Sequence, residues 1–355
     1  MKKQFYYLGY TLIAVSLLSI TSCKKDTPAA PEQPQTAVSG VYILNEGDWT
    51  GDNASLSYFD LETNEMKNDV FYEVNSETVL GELANDMGIY GSKLFITVTG
   101  SNKVEILNAT NGKILKTVNM EEPRYIAFYG KYAFISSYTN QVFVVDTASM
   151  SIHTKIEVGR TPEQLAVSGA QVFVANAGWK DAIAGGEYDN RVSVIDAENL
   201  VKVKDIEVAD NIDRVYADNN GHVYVNSSTI YGVWPEELYP SRLYVIDTET
   251  NAVEQLPFGA GLMAIAGEKA YLASGNYQEG KTQLLEMNTA TLLVKPLDIL
   301  SGVDNLNGLA TDPDSGDLWV STYTNPGKVY RYKTTTKEMD TYTVGIFPKT
   351  FSFKR

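Results

Sequence analysis

The sequence predicts an all-β chain, a seven-bladed β-propeller whose last blade is shared between N- and C-terminal strands. Three observations carry that prediction. Short stretches alternate apolar and polar residues around turn residues: PEQLAVSGAQVFVAN (162–176) is hinged at Ser168-Gly169, and RVSVIDAEN (191–199) resumes the alternation and stops at Asp196. The unit repeats, with closing residues Asp60, Asn108, Asp146, Asp196, Asp247, Asn288 and Tyr332 spaced 48, 38, 50, 51, 41 and 44 residues apart, near the period of a four-stranded blade. One copy is split: GVYILNEG (40–47) and ASLSYFDLETN (54–64) supply its later strands, and PKTFSFK (348–354) matches PRYIAFY (123–129) and supplies its inner strand. An open solenoid has no use for a C-terminal segment that restarts the pattern.

In chain order, residues 1–22 carry Lys2 and Lys3, then an apolar run from Leu8 to Ile20, then Thr21 and Ser22 before Cys23. This reads as a secretory signal peptide, too short for a membrane-spanning helix. Residues Ile20 to Cys23 resemble a bacterial lipobox, which implies lipidation of Cys23, the sole cysteine. Several acyl chains, at about 0.8 kcal/mol per buried CH₂, anchor stably. Residues 23–39 then form the lipidated cysteine and a polar, proline-containing tether. It reaches about 22 Å as a flexible coil and at most about 55 Å extended, which keeps the propeller (40–355) near its membrane.

Within each blade the closing Asp or Asn sits where a short polar side chain can bond the backbone of the turn after the third strand. The formal net charge is −15, and losing Lys2 and Lys3 with the signal peptide makes it about −15 − 2 = −17. Nucleic acid and anionic membrane surfaces are poor partners for such a body.

In a propeller, the loops after each second strand and the connections into each inner strand share one face, where function usually sits. Here EGDWTGDN (46–53), AGWKDAIAGGEYDN (177–190), STIYGVWPEELYPS (228–241) and SGNYQEGK (274–281) are long and aromatic, while turns such as Tyr129-Gly130-Lys131 on the opposite face are short. Trp49, Trp179 and Trp234 fall in those loops, with Tyr188, Tyr231, Tyr239 and Tyr277 beside them and Tyr138 and Tyr323 in equivalent shorter ones. Such rings suit a broad amphipathic ligand, although the same rings also serve to plug their own loops. The inner-strand connections add Asn85, Asp86, Arg124, Glu163, Asp213, Arg214, Asp304, Asn305, Asn307 and Lys349. These groups could orient a ligand rich in amides or hydroxyls, or simply solvate the channel mouth.

Groups for chemistry are sparse. The two histidines, His153 and His222, fall in an outer strand and beside a far-face turn, so no nucleophile–base pair and no catalytic residue is assigned. No metal set or cofactor motif is present, and DPDSGD (312–317) reads as a turn before it reads as a Ca²⁺ loop.

The blade strings VFVAN and VSVID resemble the YncE/YVTN-type propellers. More specifically, LNEGDW (44–49), NASLSYFD (53–60), VFYEVN (70–75), PRYIAF (123–128) and VGIFPKTFSFK (344–354) resemble the surface lipoprotein propellers of gut Bacteroidetes, a group that includes the BtuG-type cobalamin-binding lipoproteins. That resemblance implies an outer-membrane, lipid-anchored protein displayed at the cell surface. It would bind cobalamin or another corrinoid as ligand, not as cofactor, and deliver it to a TonB-dependent outer-membrane transporter. The ligand residues come from the loop-face reading and not from the resemblance: Trp49, Asn85, Arg124, Tyr138, Trp179, Tyr188, Arg214, Tyr231, Trp234, Tyr277 and Tyr323. The same aromatic face would also suit a glycan or a protein partner. Lactonases and lyases also use propellers, usually around a metal or histidine.

Overall fold

The computed structural model describes residues 37–232, 237–276, 281–300 and 302–355. The expected signal peptide, Cys23 and most of the expected tether, together with Trp234 and Tyr277, lie outside them.

Seven antiparallel four-stranded sheets make up the structure. Their inner strands are Ala84–Tyr90, Pro123–Tyr129, Pro162–Ser168, Ile212–Ala217, Leu262–Ala266, Leu306–Thr311 and Pro348–Lys354, which head blades one to seven. Each packs beside the next and the last packs beside the first, so the ring closes. Blade seven is the shared one: Gly40–Asn45 pairs with Ser55–Asp60 on one side and with Pro348–Lys354 on the other, in a register running from Gly40 opposite Lys354 to Leu44 opposite Thr350. The Ser39 N–H extends that ladder to the Lys354 carbonyl at 2.7 Å.

Seven buried apolar clusters lie one at each blade-to-blade interface. Between blades two and three, for example, Phe134, Val142 and Val144 meet Leu165, Val172 and Val174. This is why the middle strands read as apolar runs: both faces are covered by neighbouring blades. The fourth tryptophan, Trp319, is fully buried between blades six and seven against Phe59 and Phe351.

The closing residues act as predicted. Asp196 Oδ1 accepts the backbone N–H groups of Glu198 and Asn199, each at 2.9 Å. Asp60, Asn108, Asp146, Asp247 and Asn288 each accept the equivalent two donors. Tyr332 has no such oxygen at that reach. Asp317, just before the neighbouring strand Leu318–Thr322, takes over, accepting the Thr334 N–H at 3.1 Å while pairing with Arg331 at 2.8 Å. Asp312 likewise accepts from Asp314 and Ser315, so DPDSGD is a turn with its carboxylates committed. On the same end, Gly130 and Gly169 turn with φ of 56° and 58°, a left-handed geometry that favours glycine.

The long loops carry structure of their own. Residues 177–190 contain a short helix, Trp179–Ile183, and residues 228–241 contain a small hairpin pairing Ile230–Tyr231 with Glu237–Tyr239. The 274–281 loop is shorter than its sequence suggested, because the flanking strands stay paired out to Asn276 opposite Lys281. VFYEVN holds the helix Val70–Val74, which buries Phe71 against the interface of blades seven and one.

Candidate functional site

Six blades contribute the second residue of the inner strand to a ring around the axis at the loop-face end: Asn85, Arg124, Glu163, Asp213, Asn307 and Lys349; in blade five the second residue, Met263, is instead buried in the core between blades four and five. These polar groups bond mainly to one another and to neighbouring backbone. The Arg124 Nε and Nη2 both donate to Glu163 Oε2, at 3.1 and 2.9 Å. The Tyr138 hydroxyl donates to Glu163 Oε1 at 2.5 Å, and the Trp179 indole N–H reaches the same oxygen at 3.2 Å. Lys349 donates to Asn85 Oδ1 at 2.8 Å and to Glu46 at 3.1 Å, while the Asn85 amide donates to the Arg124 carbonyl at 2.9 Å. Asn226 donates to Asp213 at 2.9 Å, and Arg214 donates to the Tyr125 hydroxyl.

Burial shapes the charges of this ring. It pushes Asp86 up to about 6, against the backbone N–H groups of Ile126 and Met87 that favour its carboxylate. It holds Lys349 below the ordinary lysine range although Glu46 pulls the other way. Burial would also lower Arg124, but Glu163, Tyr138 and Tyr125 together outweigh it and the guanidinium is held above its ordinary value. Tyr138 is raised well above its usual value by burial and then by Glu163.

Above the ring, two groups of aromatics differ in how they are held. Tyr138 and Trp179 meet edge-on with ring centroids 5.3 Å apart, and Arg124 and Lys180 sit 4.6 and 4.7 Å from the centre of the Tyr138 ring. Trp49 is 75% exposed, and Tyr323 is 47% exposed while stacking on Phe347 with centroids 4.0 Å apart. Tyr188 and Tyr231 are partly buried. Tyr188 lines an open groove of about 560 Å³ with Arg160, Asp189 and Arg191, where both arginines pair with Asp189. Beneath the rim, the channel holds a cavity of about 130 Å³.

Of the residues the sequence singled out, Arg124, Tyr138 and Trp179 thus converge on Glu163. Asn85 is buried and committed to its neighbours, Arg214 lies on the channel wall, and Trp49 and Tyr323 form the open part of the rim. Tyr125, Gln164 and Lys180 were not singled out. One signal could have found such pairs: partners in adjacent blades stand 39 or 40 residues apart, as in Asn85 to Arg124, Arg124 to Glu163 and Asp86 to Ile126. His153 lies in the outer strand Ser151–Glu157, and His222 sits at the opposite end of its blade on Asp218 at 3.0 Å. Among the described residues, no three His, Cys, Asp or Glu side chains come together as a metal site.

Solved structures share the fold. Hydrazine synthase of Kuenenia stuttgartiensis superposes with a TM-score of 0.59 at 14% identity, over 81% of this chain and 89% of that one. The Cps50 (Swd1) β-propeller domain of Myceliophteria thermophila superposes with a TM-score of 0.54 at 12% identity, over 87% and 98%. At such identities the likeness establishes architecture and leaves chemistry aside. No curated protein matches the sequence significantly. Residues 39–260, more than half of the chain, match the sequence pattern described as a domain of unknown function, DUF5074, and the chain belongs to that family.

Proposed function

We propose that this protein is a binding protein and not an enzyme, and that it captures a broad amphipathic small molecule on the loop face. A corrinoid such as cobalamin is the first ligand, held close to the outer membrane by the lipid anchor at Cys23 and passed to a TonB-dependent transporter. One observation carries the reading. Most polar groups of the ring are committed to each other, whereas Trp49 and Tyr323 stand exposed above them. A cavity of about 130 Å³ is far below the roughly 300–1,000 Å³ of an ordinary small-molecule pocket, so a wide flat ligand must lie across the rim. Rings held on a closed scaffold lose little freedom on binding, which favours affinity without any chemical step. The histidines lie away from the rim, and that weighs against acid–base or nucleophilic work there.

The test is a titration of the full chain with cyanocobalamin, followed by visible absorbance and calorimetry. Saturable one-to-one binding in the nanomolar range is expected, weakened at least about tenfold (1.4 kcal/mol) in a Trp49→Ala/Tyr323→Ala double variant. No binding at tens of micromolar removes the corrinoid. The open exposure of Trp49 also suits stacking on a sugar face, so glycans are the next ligands to titrate; weak binding without a spectral change would identify that class. Binding only to a co-purifying protein would assign the face to a partner.

A further inference from the structure

We infer that the axial cavity is a second site, independent of the rim, which takes a small zwitterion of the amino-acid class. Its size sets the scale. A cavity of about 130 Å³ is close to the roughly 150 Å³ that holds benzene in an engineered apolar cavity, so the ligand has about six non-hydrogen atoms.

The lining sets the chemistry. It combines the polar Asp86, Gln164, Arg214 and Lys349 with the apolar Leu262 and Leu309. Gln164 Oε1 is buried with no hydrogen-bond partner. Asp86 accepts the Ile126 N–H at 3.0 Å and the Thr350 hydroxyl at 3.4 Å and is favoured by the Met87 N–H, yet no ion pair reaches it among the described residues. Arg214 gives one N–H to Tyr125 and comes only within 3.8 Å of Asp213, so most of its five-donor fork is uncommitted.

The cavity therefore holds an acceptor without a donor in Gln164, a carboxylate without an ion pair in Asp86, and a guanidinium with donors to spare. Arg214 and Lys349 oppose a simple cation, and Asp86 with Asp213 opposes a simple anion. A molecule with both charges meets both sets: its ammonium faces Asp86 and Gln164, its carboxylate faces Arg214, and a short hydrocarbon lies on Leu262 and Leu309. Gln164 Oε1 and the free donors of Arg214, which lack protein partners, gain partners on binding.

Calorimetric titration of the full chain with glycine and L-alanine, set against methylamine and acetate, tests this. Saturable one-to-one binding of a zwitterion is expected, with each singly charged probe at least about tenfold weaker. Gln164→Met, close in size but without the acceptor, should weaken L-alanine about fivefold, and Arg214→Met more than about tenfold. Trp49→Ala should leave L-alanine binding unchanged, which separates this site from the rim. The inference fails if no zwitterion saturates by tens of millimolar, or if methylamine or acetate binds as well. It also fails if Gln164→Met, with the parent's thermal midpoint, binds L-alanine like the parent; that variant decides the matter even where Arg214→Met does not fold.

Discussion

Tyr138 and Trp179 share a face with Trp49 and Tyr323, yet the two sets are built for opposite ends. The first pair is anchored by hydrogen bonds to a single carboxylate, Glu163, which also holds Arg124. The second is more open, with Trp49 75% and Tyr323 47% exposed, the latter stacked on Phe347. A ring whose polar handle is already bonded stabilises the protein, and a ring in water has apolar surface left to give to a ligand. Aromatic content alone does not make a binding surface; the partners of each ring decide what it does.

The contrast breaks most visibly at Glu163. Its side chain is 8% exposed, so Glu163→Ala strands a buried guanidinium and two donors at once. A loss of about 3–5 kcal/mol is expected by chemical denaturation, as for a broken buried ion pair. An unchanged midpoint would mean that the network around Glu163 adds nothing to stability.

Asp86 comes next, through pH. A carboxyl raised from 3.8 to about 6 on folding carries no penalty below about 4, where it is protonated in both states. The penalty grows as pH rises and is complete above about 6, where it is ionised in both. At 1.36 kcal/mol per tenfold change, this amounts to at most about 3 kcal/mol. Asp86→Asn should therefore gain on the parent protein as pH rises from 4 to 6. Parallel stability curves for the two proteins would sink the assignment.

Tyr138→Phe sharpens the comparison on a smaller scale. It deletes one hydroxyl donor to Glu163 while keeping the ring, and about 1–2 kcal/mol of stability should go with a charge-assisted hydrogen bond. Smallest of all, Trp49→Ala should leave stability within about 0.5 kcal/mol. If Trp49→Ala unfolds the protein as readily as Tyr138→Phe, the two groups of rings are not distinct.

The repeat was legible because its markers are local. Asp196 bonds donors two and three residues ahead, so the blade punctuation stands in the sequence, and even the split blade could be reconstructed from PKTFSFK. The ring of inner-strand residues could be enumerated for the same reason. Its pairing could not, since whether Arg124 meets Glu163 or stays open to ligand depends on how adjacent blades rotate side chains toward the axis. The helix Val70–Val74 is not marked in the sequence, because its β-branched and aromatic residues favour strand; packing of Phe71 overrides that preference.

The shared blade also sets the order of events during synthesis. Ser39 finds its partner Lys354 315 residues later. A ribosome adding about 5–20 residues per second therefore spends at least about 15 s between making the first strand of the ring and the strand that locks it. Six blades can assemble in that interval, but the strand Gly40–Asn45 has an unpaired edge until Pro348–Lys354 arrives. An unpaired apolar edge invites other chains, so a holding factor or a delay in folding during that interval would protect the nascent protein more than any stabilising substitution in the finished ring.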